Sequence, residues 1–146
     1  MKGFLQICSL SNLKLYKDDF DLKLFIVRSP GKINLDKYEL IHVPELSPSK
    51  YLYSNYMRWK SNKFTSDELL LIENDTTLVF ERLFKPIFNL EMVTRPDLIV
   101  NLNRLKVLLG QGKNILLVCF CGDYIECHRS LIANDVSNAG FEVKLG

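Results

Sequence analysis

The sequence predicts an open α/β fold, a mainly parallel (Rossmann-like) sheet with helices on both faces. Three observations predict it. The unbroken apolar run Ile115-Leu116-Leu117-Val118-Cys119-Phe120 has the length and composition of a central strand covered on both sides. Strand-like and helix-like patterns alternate along the chain, as in βαβ units. The 146 residues are the size of one ordinary domain, so residues 1–146 are expected to form a single unit.

Phe4 to Ser9 reads as the first strand. The polar stretch Asn12 to Asp21 is barely long enough for a parallel crossover, so a loop or a single helical turn is expected there. Leu22 to Val27 is the second strand, stopped by the turn signal Arg28-Ser29-Pro30-Gly31. Tyr38 to Val43 is a third strand candidate, closed by Pro44. Lys50 to Thr65 carries Lys50, Arg58, Lys60 and Lys63 with no acid, interleaved with Tyr51, Tyr53, Tyr56, Trp59 and Phe64. A lid over the site is favoured for it; the other reading is a surface that stacks and screens a nucleic acid strand. Thr65-Ser66-Asp67-Glu68 has capping-box spacing and should open a helix. Leu69 to Phe88 is apolar-rich, with a break near Asn74-Asp75-Thr76. Thr94-Arg95-Pro96-Asp97 starts another helix, whose Leu98, Leu102, Leu105 and Leu109 mark one face. Glu126 to Ala139 reads as the last helix, with Gly140 as its left-handed stop, and Phe141 to Leu145 as the last strand.

Bulk composition excludes rather than identifies. A net charge of +2 neither requires nor excludes nucleic acid, and 47% apolar content is ordinary for a globular chain. The N-terminus lacks the apolar core of a secretory signal, and no run approaches a membrane-spanning length. A cytoplasmic protein is expected. Its four cysteines then favour thiols, metal ligands or a catalytic group over a disulfide framework.

In open parallel sheets, ligands bind beyond the carboxyl ends of the strands. Ser9 ends the first strand here and Arg28 the second; His42 and Glu45 flank the end of the third. Cys119 and Cys121 end the central strand, and Cys127-His128-Arg129 opens the helix after it. These residues should converge on one edge. Amide groups and dipole at a helix start favour negative charge, which activates a thiol and attracts anions. Cys127 therefore reads either as a thiolate nucleophile or as part of an anion cradle with Arg28 and Arg129. His42 and His128 are candidate proton carriers. The bland alternative is a buried cysteine filling a helix–strand contact, with Arg129 on a surface carboxylate and His42 structural.

No cofactor is expected, with zinc the alternative, because Cys119, Cys121 and Cys127 with His128 are of types that zinc accepts. Alternation places Cys119 and Cys121 on one face of a strand, which helps. Adjacent helical positions 127 and 128 diverge by about a hundred degrees, which does not. No Arg stands six positions after Cys119, Cys121 or Cys127, so there is no tyrosine-phosphatase loop, and no glycine-rich phosphate loop occurs.

Leu117-Val118-Cys119, Cys127-His128-Arg129-Ser130-Leu131-Ile132-Ala133 and Gly140-Phe141-Glu142-Val143 together resemble the C-terminal signature of the domain of unknown function 488 family. Val27-Arg28-Ser29-Pro30 resembles its Asp-Val-Arg-Ser strand end, and His42-Val43-Pro44-Glu45-Leu46 its His-Leu-Pro-x-Leu-Gly segment. Tyr56-Met57 sits where the family often has a Tyr-Met pair. Ile26 replaces the family's acid, Cys121 stands where a glutamate is common, and Cys8-Ser9-Leu10-Ser11 only partly resembles its Gly-His-Ser start. The Cys-x-Cys followed by Cys-His is also similar to an uncharacterised group found around phage and mobile-element proteins. The resemblance implies an open α/β fold with a pocket at these residues. It supplies no reaction. The expected ligand is a small anion such as a nucleotide or nucleobase derivative, met by Cys127, His128, Arg129 and His42, with Ser9, Arg28, Glu45, Tyr56 and Cys119 around it.

Overall fold

A computed structural model of the chain describes residues 1–16, 20–120 and 127–145. Its strands are β1 (Phe4–Ser9), β2 (Leu22–Phe25), β3 (Ile41–His42), β4 (Ile115–Cys119) and β5 (Glu142–Leu145). They form one sheet in the order β3-β2-β4-β1-β5, parallel at every pairing. The α-helices are α1 (Lys50–Lys60), α2 (Ser66–Leu71), α3 (Lys85–Thr94), α4 (Pro96–Gly110) and α5 (His128–Asn138). This is the open α/β fold that the alternating pattern predicts.

β4 is central, the position that its unbroken apolar run fits. All five of its residues are buried, and it pairs with β1 from Leu5↔Ile115 to Ser9↔Cys119 and with β2 from Leu22↔Ile115 to Phe25↔Val118. The short segment after β1 folds as a 3₁₀ turn, Leu10–Leu15, anchored by buried Leu13. Leu98, Leu102, Leu105 and Leu109 are all buried on α4, which starts with Pro96 in its first turn. Thr65 caps α2 in a full capping box, its side chain accepting from Glu68 N while Glu68 accepts from Thr65 N. The break in the apolar stretch is set by Glu73 and Asn74, both at positive φ (53° and 56°).

The third strand is shorter than the expected Tyr38 to Val43. Glu39 turns left-handed (φ 56°), and Leu40 N donates to Leu35 O, so the chain is still turning until Ile41. Close packing fixes the start of β1. Gly3 N donates to Leu109 O at 2.7 Å, and a Cβ there would lie 1.8 Å from the Lys113 carbonyl oxygen. Among the described residues, no helix is long and apolar enough to cross a membrane.

Candidate functional site

After β2 the chain leaves toward β3, and after β4 it leaves toward β5. Two adjacent parallel strands whose connections depart in opposite directions leave a crevice beyond their carboxyl ends. A cavity of about 380 Å³ lies there. Val27, Arg28 and Ser29 line it from the end of β2, Cys119 and Phe120 from the end of β4, and Cys127 and His128 from the start of α5. The opposite wall is Pro48, then Tyr53, Tyr56, Met57 and Lys60 of α1, and Phe84. Positions 53, 56, 57 and 60 follow helical i, i+3, i+4, i+7 spacing, so one face of α1 supplies most of that wall. Phe84 ends a π-helical turn, Phe80–Phe84, and stacks between Phe80 and Phe88 (5.3 and 6.0 Å between centroids).

A sulfur–guanidinium–imidazole cluster forms the base. The sulfur atoms of Cys119 and Cys127 lie 3.0 Å apart, and Arg129 Nη1 donates to Cys119 Sγ at 2.7 Å. All three residues are buried, Arg129 at only 2% exposure. A guanidinium so placed stabilises the anionic form of the sulfur it touches. Cys127 is the N-cap of α5, with extended backbone (φ −136°, ψ 146°), and not its second helical residue. The expected divergence from His128 therefore does not occur, and Cys127 Sγ lies 3.6 Å from His128 Nδ1. His128 Nε2 faces Ile26 O at 2.7 Å. A carbonyl only accepts, so the proton of the neutral ring is on Nε2, and Nδ1 presents its lone pair toward Cys127.

The other histidine has a different place. His42 Nε2 donates to Val27 O at 2.7 Å. Ile26 N donates to Val118 O of β4, and Val43 N to Phe25 O, so successive carbonyls of this segment alternate between the β4 and β3 sides. His128 takes the one toward β4 and His42 the one toward β3. His42 ties β3 to the strand end and does not line the cavity. Ser9 also stays outside it, paired by its hydroxyl with Ser11 at 2.9 Å. Glu45 is outside too; its carbonyl accepts from Arg95 Nη2 at 3.2 Å.

That Arg95 contact belongs to a network that sets the cavity wall. Glu91, half-way along α3 and buried, accepts from Ser49 N (2.9 Å), Ser49 Oγ (2.5 Å) and Arg95 Nη1 (3.0 Å). Arg95 also donates to Ser47 O and Asp97. Residues 45–49 are thereby clamped to α3 and α4, which holds Pro48. Arg28 donates to Pro48 O through Nε (3.2 Å) and Nη2 (2.7 Å), fixing its guanidinium at the rim.

Of the expected site residues, Arg28, Tyr56, Cys119, Cys127 and His128 share one cavity. Arg129 is buried, with Nη1 on Cys119 Sγ. Cys121 lies outside the described residues. Among the described residues, no group of three or more His, Cys, Asp or Glu is placed to hold a metal. The α1 segment divides. Arg58 is bound to Glu68 (2.6 and 2.7 Å) and Trp59 is buried, while Tyr53, Met57 and Lys60 are exposed along the cavity mouth. Tyr53, Met57, Lys60 and Phe84 were not singled out as ligand contacts from the sequence. The helical stripe on α1 was the signal for the first three.

An all-parallel open sheet with a thiol, imidazole and guanidinium cluster beyond adjacent strands at its switch point defines the class as an open α/β domain. Residues 5–140 match the family model DUF488-N3a, described as the active DUF488-N3 subclade. The chain belongs to the DUF488 family. Comparison with curated proteins and comparison with solved structures each gave no match.

Proposed function

We propose that the chain binds or processes a small anionic ligand of the nucleotide or nucleobase-derivative class in the cavity beyond β2 and β4. One observation carries this reading. The same 380 Å³ space has two sulfur atoms at its base, aromatic side chains in its wall and Arg28 and Lys60 at its rim. That volume is within the range of small-molecule sites. Tyr53, Tyr56 and Phe120 offer faces or edges to a planar ring. Arg28 and Lys60 hold the anionic group, Arg28 with its plane set by Pro48. Cys127 is the nucleophile or anchor, and His128 Nδ1 accepts its proton. Arg129 acts one layer back, on the charge of Cys119. Reduced thiols at such a site suit the cytoplasm.

Thermal-shift titration with nucleoside 5′-monophosphates, the matching nucleosides and inorganic phosphate tests the reading. A monophosphate should raise Tm more than its nucleoside or phosphate alone. Arg28→Ala should weaken that binding by roughly ten- to a hundredfold, the worth of a charge-assisted hydrogen bond. Equal responses in the wild type and in Arg28→Ala, or no response to any of the series, refute it. Binding of a nucleic acid strand by Lys50 to Lys63 is the competing reading. Oligonucleotide affinity falling steeply with salt would favour it.

A further inference from the structure

We propose that Cys119 and Cys127 are a reversible dithiol, which a small hydroperoxide entering the cavity converts to a disulfide. This goes beyond ligand binding and does not depend on which ligand the cavity takes.

The two sulfur atoms are 3.0 Å apart, inside van der Waals contact, and a bond needs them to close by about 1 Å. Both line the cavity, so an oxidant of a few atoms reaches them although each is buried in the protein. Their surroundings also distinguish them. Arg129 Nη1 sits on Cys119 Sγ at 2.7 Å, which favours thiolate there, and His128 Nδ1 faces Cys127 Sγ at 3.6 Å. One sulfur is thus set to attack, and the other has a base for its proton. The third described thiol, Cys8, does not line the cavity, and burial pushes it up to about 12, which leaves it inert.

The chemistry balances with hydrogen peroxide as the oxidant. The Cys119 thiolate attacks one peroxide oxygen; the S–O bond forms, the O–O bond breaks, and hydroxide leaves, taking a proton to become water. Cys127 gives its proton to His128 Nδ1 and attacks the Cys119 sulfenic acid. The S–S bond forms, the S–O bond breaks, and the second water leaves with that proton. Two thiols and one peroxide become one disulfide and two waters. The sulfurs that face the ligand are then bonded to each other, so the oxidised protein loses its thiol chemistry until an external thiol reduces it.

Mass spectrometry of the full chain treated with hydrogen peroxide and then alkylated tests this. Trypsin leaves Cys119, Cys121 and Cys127 on one peptide, residues 114–129, so a second cut after Glu126 is needed to place the link. The expected product is a Cys119–Cys127 link, lighter by two hydrogens and reversed by dithiothreitol, which forms equally in Cys121→Ser. In Cys127→Ser, dimedone should trap a sulfenic acid on Cys119, and Arg129→Leu should slow the oxidation at least tenfold. A link from Cys119 to Cys121 instead, or oxidation of single sulfurs without any link, overturns the proposal.

Discussion

Cys8 gives a pH test that isolates one buried thiol. Burial raises its pKa from 9.0 to about 12, with Arg129 pulling it down and Cys119 pushing it up by lesser amounts. Below pH 9.0 both the folded and the unfolded chain hold the proton, and the residue adds no pH dependence. Above it the unfolded thiol ionises while the buried one does not, so folding stability falls as pH rises toward about 12. Each pH unit in that window removes about 1.4 kcal/mol. Between pH 8 and about 10.5 the loss from Cys8 alone is about 2 kcal/mol. Lysines and tyrosines titrate there as well, so the measurement is a difference. Urea unfolding of wild type and Cys8→Ala, both reduced, should show Cys8→Ala less stable at pH 8, by the about 1–2 kcal/mol of its lost packing. That deficit should vanish or reverse near pH 10.5. Parallel curves for the two proteins would mean that Cys8 ionises as freely when folded as when unfolded, and would refute the burial argument.

Glu91→Ala should cost about 3 kcal/mol, since it removes the buried carboxylate partner of Arg95 and strips Ser49 N and Oγ of their acceptor. It should also weaken nucleotide binding by loosening Pro48, which thermal melts and titration read separately. Gly3→Ala should destabilise by about 1–3 kcal/mol, because its Cβ meets the Lys113 carbonyl; wild-type stability would show that this approach relaxes freely. Glu68 is held at about 2 chiefly by the Arg58 hydrogen bond. Its carboxylate therefore stabilises the fold above its ordinary 4.5, and that contribution fades as pH falls toward about 2. Glu68→Gln should accordingly cost about 1 kcal/mol at pH 7, discounted for solvent screening, and progressively less in acid melts between those values.

Much of the fold was legible because local and global preferences agree. The apolar run fits a covered strand and is one over Ile115–Cys119, the four leucines of α4 keep helical spacing, and Thr65 with Glu68 announces a helix start. The third strand was misjudged in length because its apolar pattern conceals a left-handed turn at Glu39. The strand-end rule pointed to the cavity that Arg28, Cys119, Cys127 and His128 line. It overreached for Ser9, because β4 intervenes between β1 and β2, and strand order is set by long-range pairing that no local pattern encodes. His42 and Glu45 follow the same logic: near the edge in sequence, they face β3 and Arg95. The closeness of Cys127 to His128 was hidden as well, since it depends on Cys127 being an extended cap.

The proposed ligand sits in the cavity bounded by Arg28 at the rim and by Cys119 and Cys127 at the base. A crystal structure of the chain with the nucleoside monophosphate that raises Tm most tests it directly. Density is expected between the Arg28 guanidinium and the two sulfur atoms, with the ring against Tyr53, Tyr56 or Phe120. A nucleotide bound instead on the outer face of α1, or an empty cavity under conditions where solution binding saturates, would contradict it.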